Sequence, residues 1–127
     1  KAVSLGCNRV ALGHSRNDVI ETFFMSLFYE GRIHSFSPNL YMDRKKIYTI
    51  RPLIYAPEKE IIGYITKEKI QTVHNPCHAN GFSKRKEIKE FVAEKFTQYN
   101  FFEEKIFTAI KNGNIVGWQA LANPIKS

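Results

Sequence analysis

Cysteine is scarce: Cys7 and Cys77 are the only two in 127 residues and lie far apart, which excludes a disulfide-built scaffold and fits free thiols in a reducing cytoplasm. No apolar stretch approaches the roughly 20 residues that a membrane helix needs, because charge or glycine interrupts every few positions. No secretory leader pattern is visible, and there is no internal repeat or low-complexity tract. What is present is an apolar share of 43% with 10 Phe and 6 Tyr, enough for one ordered core and too much for a disordered chain. The length permits one domain. Basic residues outnumber acidic ones by 19 to 12, and the net charge of +7 favours an anionic partner such as RNA or a nucleotide, although solubility explains the same excess.

The order of patterns along the chain is that of an α/β unit. Lys1 to Leu5 reads as the last turn of an element, with Gly6 as its stop. Arg9 to Gly13 (RVALG) is apolar and of strand length, and a buried interior strand is expected there, with Cys7 in the core at its entry. After His14 and Ser15, the residues Ile20, Phe23, Phe24, Leu27 and Phe28 recur at helical spacing, which predicts a helix from about residue 17 to 30 with Phe23, Phe24 and Leu27 buried. Ser15 and Asp18 resemble a weak capping box, and Gly31 supplies the stop. Pro38 to Met42 and Ile47 to Arg51 flank a polar turn and predict a hairpin. Pro57 opens a helix with Ile61, Ile62 and Ile65 on its apolar face. A short strand over Gln71 to Val73 is expected next, then an irregular loop, His74 to Phe82. Ser83 is expected to cap a helix that buries Ile88, Phe91, Val92 and Phe96. A last helix over about Phe102 to Lys111 buries Phe102, Ile106, Ala109 and Ile110. The tail from Asn114 carries Trp118, which needs something to pack on.

Strands alternating with helices imply a parallel sheet, and two or three core strands are too few to be covered on both faces. The expectation is one unit over 1–127, with 114–127 as a tail, forming the C-terminal half of a doubly wound sheet whose other half precedes it. His14 and Asp18 then sit past the carboxyl end of a parallel strand and at a helix start, where such sheets place ligands. A turn contact for His14 and a dipole contact for Asp18 explain them equally. Cys77 beside His74 and His78 invites a zinc reading, but one cysteine is a poor ligand set and a free loop thiol is its rival. Lys84, Arg85, Lys86 and Lys89, next to Phe82, form either a solvated face or a track for an RNA backbone. Arg51 suits a phosphate contact or an ion pair, and Glu21 and Thr22 suit packing as well as function.

Four segments carry a resemblance. Ala11 to Thr22 (ALGHSRNDVIET) resembles the ALGHHxDDxxET signature of the PP-loop ATP pyrophosphatases that modify tRNA, above all the tRNA 2-thiocytidine synthetase family. Phe24 to Gly31 (FMSLFYEG) is similar to that family's FMNLFYGG, Ile50 to Leu53 to its IRPL, and Asn75 to Cys77 to its cysteine-bearing loop. The likeness covers about residues 1 to 112. Ser15 stands at the family's second His and Asn17 at the first Asp of its Asp-Asp pair. The family's SGGxDS phosphate loop and Cys-x-x-Cys pair have no counterpart in this sequence. The resemblance implies an adenine nucleotide hydrolase-like fold and an ATP site, with Mg2+, at Gly13, His14 and Asp18. It implies that Asp18 and Cys77 serve catalysis and that Cys77 is one thiolate of a [4Fe-4S] cluster whose two other ligands lie elsewhere. With a tRNA substrate implied, Arg51, Lys84, Arg85, Lys86 and Lys89 are the expected RNA contacts, the location is expected to be cytoplasmic, and an unpaired strand edge is expected to take the missing half or a second copy, as a homodimer, as partner. The implied reaction is adenylation of an anticodon-loop cytidine for sulfur transfer, the chain being inactive by itself. A tRNA lysidine synthetase-like ligase, which needs no Cys77, and a non-enzymatic RNA-binding module are the alternatives.

Overall fold

The computed structural model describes residues 1, 3–43, 45–72 and 82–118, with the backbone alone for 82 and 83. A 3-10 turn, Val3–Leu5, leads through Gly6 to β1 (Arg9–Ala11), and α1 (Arg16–Met25) follows. The hairpin strands are β2 (Asn39–Met42) and β3 (Ile47–Ile50), and the remaining helices are α2 (Glu58–Lys67), α3 (Phe82–Gln98) and α4 (Phe102–Asn112). The sheet order is β1-β3-β2, with β1 parallel to β3 and β2 antiparallel to it. This is an α/β fold with the hairpin and the two C-terminal helices where the sequence pattern puts them.

The core is set between helices more than on the sheet. Val19 and Ile20 of α1, Ile88 and Val92 of α3, and Phe107 and Ile110 of α4 meet Ile54, Ile115 and Trp118 in one buried cluster. Phe24 links the helices at the cluster's rim, edge-on to Phe91 of α3 at 5.6 Å and stacked on Phe102 of α4 at 6.2 Å. The segment after α4 thus carries core residues: the Trp118 ring stands edge-on to Phe107 at 5.9 Å.

Several expectations are corrected. β1 is three residues long and lies at the sheet edge with Arg9 and Ala11 exposed, because among the described residues only β3 pairs with it. Cys7, expected in the core, is exposed at its entry for the same reason. Leu27, expected to be buried, is 37% exposed, and Phe23 and Phe24 are half-buried. α1 widens at its end into a π-helical segment, Ser26–Glu30. The buried face of α1 runs through Val19, Ile20 and Ser26 because α3 and α4 pack on that side, and Leu27 faces out. Gly31, at φ 65°, ends the segment as expected.

Smaller shifts have the same character. In α4 Phe107 replaces Ala109 on the buried face, and in α2 Ile62 is exposed. α3 starts at Phe82, so Ser83 lies inside it rather than at its cap. Gln71 and Thr72 belong to no strand, and Val73 lies outside the described residues, as does 74–81.

The turn after α4 depends on a glycine. Gly117 has φ +91° and passes so close to Ser37 that a Cβ would lie 2.4 Å from the serine Cβ. Gly117→Ala is therefore expected to lower stability by about 1–3 kcal/mol through a left-handed backbone and overpacking together. Urea unfolding of wild type and variant measures it, and an unchanged midpoint would contradict the close approach.

Candidate functional site at the β1–α1 junction

β1 and β3 stay in register to Ala11 and Ile50, and pairing extends one step as the Leu12 N–H donates to the Ile50 carbonyl at 2.9 Å. His14 and Arg51 consequently leave the sheet at the carboxyl ends of two neighbouring parallel strands, the edge where open α/β sheets bind ligands. α1 starts at that point. Its N-cap Ser15 accepts the Asp18 N–H on Oγ at 3.3 Å, while Asp18 Oδ2 accepts the Ser15 N–H at 2.8 Å and the Ser15 hydroxyl at 3.2 Å. The box expected from Ser15 and Asp18 is complete, and it is built on a residue where the resembling family has histidine.

Asn17 works between helices. Its Oδ1 accepts the Glu58 N–H at 2.8 Å and so supplies the first turn of α2, while the Arg16 N–H donates to the Ala56 carbonyl at 3.0 Å. The starts of α1 and α2 are tied together by these bonds. They also use the Arg16 and Asp18 amides within the protein, so an anion at this junction is met chiefly by side chains.

Those side chains are His14, Arg51 and Arg85. Arg51 donates from Nε to His14 Nδ1 at 3.0 Å and from Nη1 to the Ser37 carbonyl at 2.7 Å. The His14 ring stacks on Phe36 at 4.2 Å and 10°, and the Arg51 guanidinium lies 4.9 Å from the same ring. Burial first, then the Arg51 cation, hold the His14 imidazole below its ordinary 6.5, with Arg85 adding to this and Asp18 opposing it.

From α3, Arg85 reaches Glu21 Oε1 at 3.2 Å and Thr22 Oγ1 at 3.0 Å, with Asp18 Oδ1 at 4.0 Å. Lys89 lies 3.6 Å from Glu21 Oε2 and 3.3 Å from Glu58 Oε2. Glu21 is only 4% exposed, and its burial raises its carboxyl despite Lys89 and Arg85, which pull it down. Burial lowers Lys89, but Glu21 and Glu58 raise it on balance. A cleft of about 270 Å³ beside this cluster is lined by Asn17, Glu21, Glu58, Lys89, Val92 and Phe96.

The structure thus gathers Gly13, His14, Asp18 and Arg51 at one junction and brings Arg85 and Lys89 to it through α1. Lys84 and Lys86 stay on the exposed face of α3, Lys84 with its ammonium 5.2 Å from the Tyr29 ring. Cys77, His74 and His78 lie outside the described residues, and among those described no group of His, Cys, Asp and Glu is arranged for a metal. Sequence reasoning missed Phe36 and Ser37, for which no pattern exists. It named Glu21 and Thr22 without finding that both receive Arg85.

The lowered His14 predicts a pH effect. Its unfolded pKa is near 6.5 and its folded value lies below, so between the two the unfolded chain binds the extra proton. The contribution of His14 is fully present above 6.5 and is lost as pH falls through the folded value. Urea midpoints between pH 7.5 and 5 are expected to fall more steeply for the wild type than for His14→Gln. Parallel curves would contradict the assignment.

Known proteins resemble this chain in sequence and in fold. Residues 1–96 match the PP-loop domain family model. The tRNA-cytidine(32) 2-sulfurtransferase of Aeromonas hydrophila is 36% identical over 114 residues, covering 87% of this chain and 37% of that protein. That of Cytophaga hutchinsonii is 38% identical over 112 residues, covering 87% and 39%. The chain therefore spans less than half the length of these relatives. A solved U34-tRNA thiolase from Methanococcus maripaludis, with its [4Fe-4S] cluster, superposes with a TM-score of 0.68 at 18% identity, covering 87% of this chain and 37% of that one. That likeness concerns the fold. With three quarters of its length inside the family model and its ligand edge built from the Ala11 to Thr22 signature, this chain belongs to the PP-loop family.

Proposed function

We propose that this chain is the C-terminal part of an ATP-dependent tRNA thiolase that forms 2-thiocytidine in the anticodon loop. The observation that carries the reading is the β1–α1 junction, where the His14 ring and the Arg51 and Arg85 guanidinium groups surround a helix start at the sheet's ligand edge. Net charge of +7 and the tRNA-modifying relatives support a tRNA substrate.

Adenylation suits the problem. The C2 oxygen of cytidine is a poor leaving group, so its attack on the α-phosphorus of ATP, with loss of pyrophosphate, turns it into part of AMP. A sulfur nucleophile then adds at C2 and AMP leaves with that oxygen. The donor chemistry of the junction fits the nucleotide, as its magnesium complex: His14 offers an N–H, and Arg51 and Arg85 offer fixed positive charge to phosphate oxygens. Asp18 fixes the start of α1 and faces Arg85. Lys84 and Lys86, exposed on α3, suit the tRNA backbone.

An iron-sulfur cluster is a different matter. Cys7 precedes β1 while His14 follows it, so the one described thiol is at the opposite end of that strand from the site, and the residues of this chain do not make up a cluster's ligand set. Cys77 is proposed to handle sulfur as a thiolate. The outer edge of β1, unpaired among the described residues, suits a further strand from the rest of the enzyme or from a second copy.

Mass spectrometry of nucleosides from tRNA treated with the full-length protein, ATP, a sulfide source and lysine tests the reading. 2-Thiocytidine is expected, with AMP and pyrophosphate formed, and His14→Ala is expected to lower its yield about 100-fold, the scale of one lost transition-state donor. Unmodified tRNA, or lysidine instead, would overturn it.

A further inference from the structure

The partner of His14 Nδ1 is a cation. Catalytic and ligand histidines commonly have one ring nitrogen oriented by a carboxylate or a carbonyl, either of which receives a proton from it. Here Arg51 Nε lies 3.0 Å from Nδ1, and a guanidinium has only protons to give. Nδ1 must therefore present its lone pair, and the single proton of the neutral ring sits on Nε2.

Arg51 is itself held in place. Its Nη1 donates to the Ser37 carbonyl at 2.7 Å, and its guanidinium carbon lies 4.9 Å from the centre of the Phe36 ring on which His14 also stacks. Ser37 in turn is pressed by Gly117 in the turn that seats Trp118 in the core. The hydrogen bond to His14 is thus backed by the sheet end, an aromatic ring and the C-terminal turn.

We propose that Arg51 is a positioning residue that keeps His14 in the neutral, Nε2-protonated tautomer, making the imidazole a hydrogen-bond donor to an anionic oxygen rather than a base or a cation. This rests on the reading of the junction as a nucleotide site and adds to it the form in which His14 acts. A second positive charge on His14 would face Arg51 directly, with Arg85 of α3 behind it and only Asp18 of α1 opposing. The site therefore divides its work: guanidinium groups supply charge, and His14 supplies one directed N–H whose acceptor cannot take a proton from a neighbouring acid through the ring.

Nitrogen–proton correlation spectra of the histidine side chains of the full-length protein test this, with His14 assigned by its loss in His14→Gln. At pH 7.5 the wild type is expected to show protonated Nε2 and bare Nδ1 at His14, with a titration midpoint below 6.5. Arg51→Gln is expected to raise that midpoint and mix the tautomers. Arg51→Lys, which keeps the cation, is expected to hold the midpoint below that of Arg51→Gln. A role in stability alone would change the melting temperature and leave tautomer and midpoint as they were, and that result overturns the proposal. Should Arg51→Gln fail to fold, a wild-type His14 protonated on Nδ1, or titrating above 6.5, overturns it without any variant. Adding ATP to the same sample separates the two readings. A shifted Nε2 signal supports both, whereas an unmoved signal on an Nε2-protonated ring removes the nucleotide and leaves the role of Arg51 in place.

Discussion

Trp118→Ala is expected to destabilise the protein by about 3–5 kcal/mol, the range for deleting a large aromatic side chain from a packed interior. Trp118 is fully buried, stands edge-on to Phe107 and shares its cluster with residues of α1, α3 and α4, so the cavity would open where the helices converge. Among the described residues its buried Nε1 has no hydrogen-bond partner, a cost the indole already bears. Trp118→Phe removes that N–H together with some volume and is therefore expected to lose much less than Trp118→Ala. Urea unfolding of the three proteins measures both differences. Equal losses in the two variants would show that the indole N–H is satisfied or that the site collapses freely. Loss of this side chain also loosens the turn that presses Gly117 on Ser37, and so reaches the Arg51 anchor and His14.

Cys77→Ser in the full-length protein is expected to abolish sulfur transfer to tRNA while ATP binding persists. The two halves of the proposed reaction use unlike chemistry, a soft thiolate for sulfur and hard donors at His14, Arg51 and Arg85 for phosphate. They can fail separately. Nucleoside analysis of treated tRNA beside calorimetric ATP titration reads each half, and undiminished 2-thiocytidine from the serine variant would remove Cys77 from the mechanism. A joint loss of both activities would mean instead that the loop supports the nucleotide site.

What was legible in the chain was local. The apolar spacing of α3, the proline before α2, the hairpin around its polar turn and the Ser15-x-x-Asp18 cap each depend on residues within a turn or two of one another, where backbone geometry leaves few choices. The Ala11 to Thr22 signature is equally compact, and it lies at the β1–α1 junction. Tertiary structure decided what depends on the neighbours of an element. The length of β1 and the exposure of Cys7 follow from a strand that, among the described residues, is paired on one side. The outward turn of Leu27 follows from the side of α1 that α3 and α4 cover, the Val19 and Ile20 side. The chemistry of the site is of this second kind. Arg51 meets His14 across 37 positions because two parallel strands end together, and Arg85 meets Glu21 across 64 because α3 packs on α1. A charged residue's partner is set by which elements touch, and in the sequence alone Arg85 and Lys86 are neighbours of the same charge, although one is drawn inward by a buried carboxylate and the other faces water.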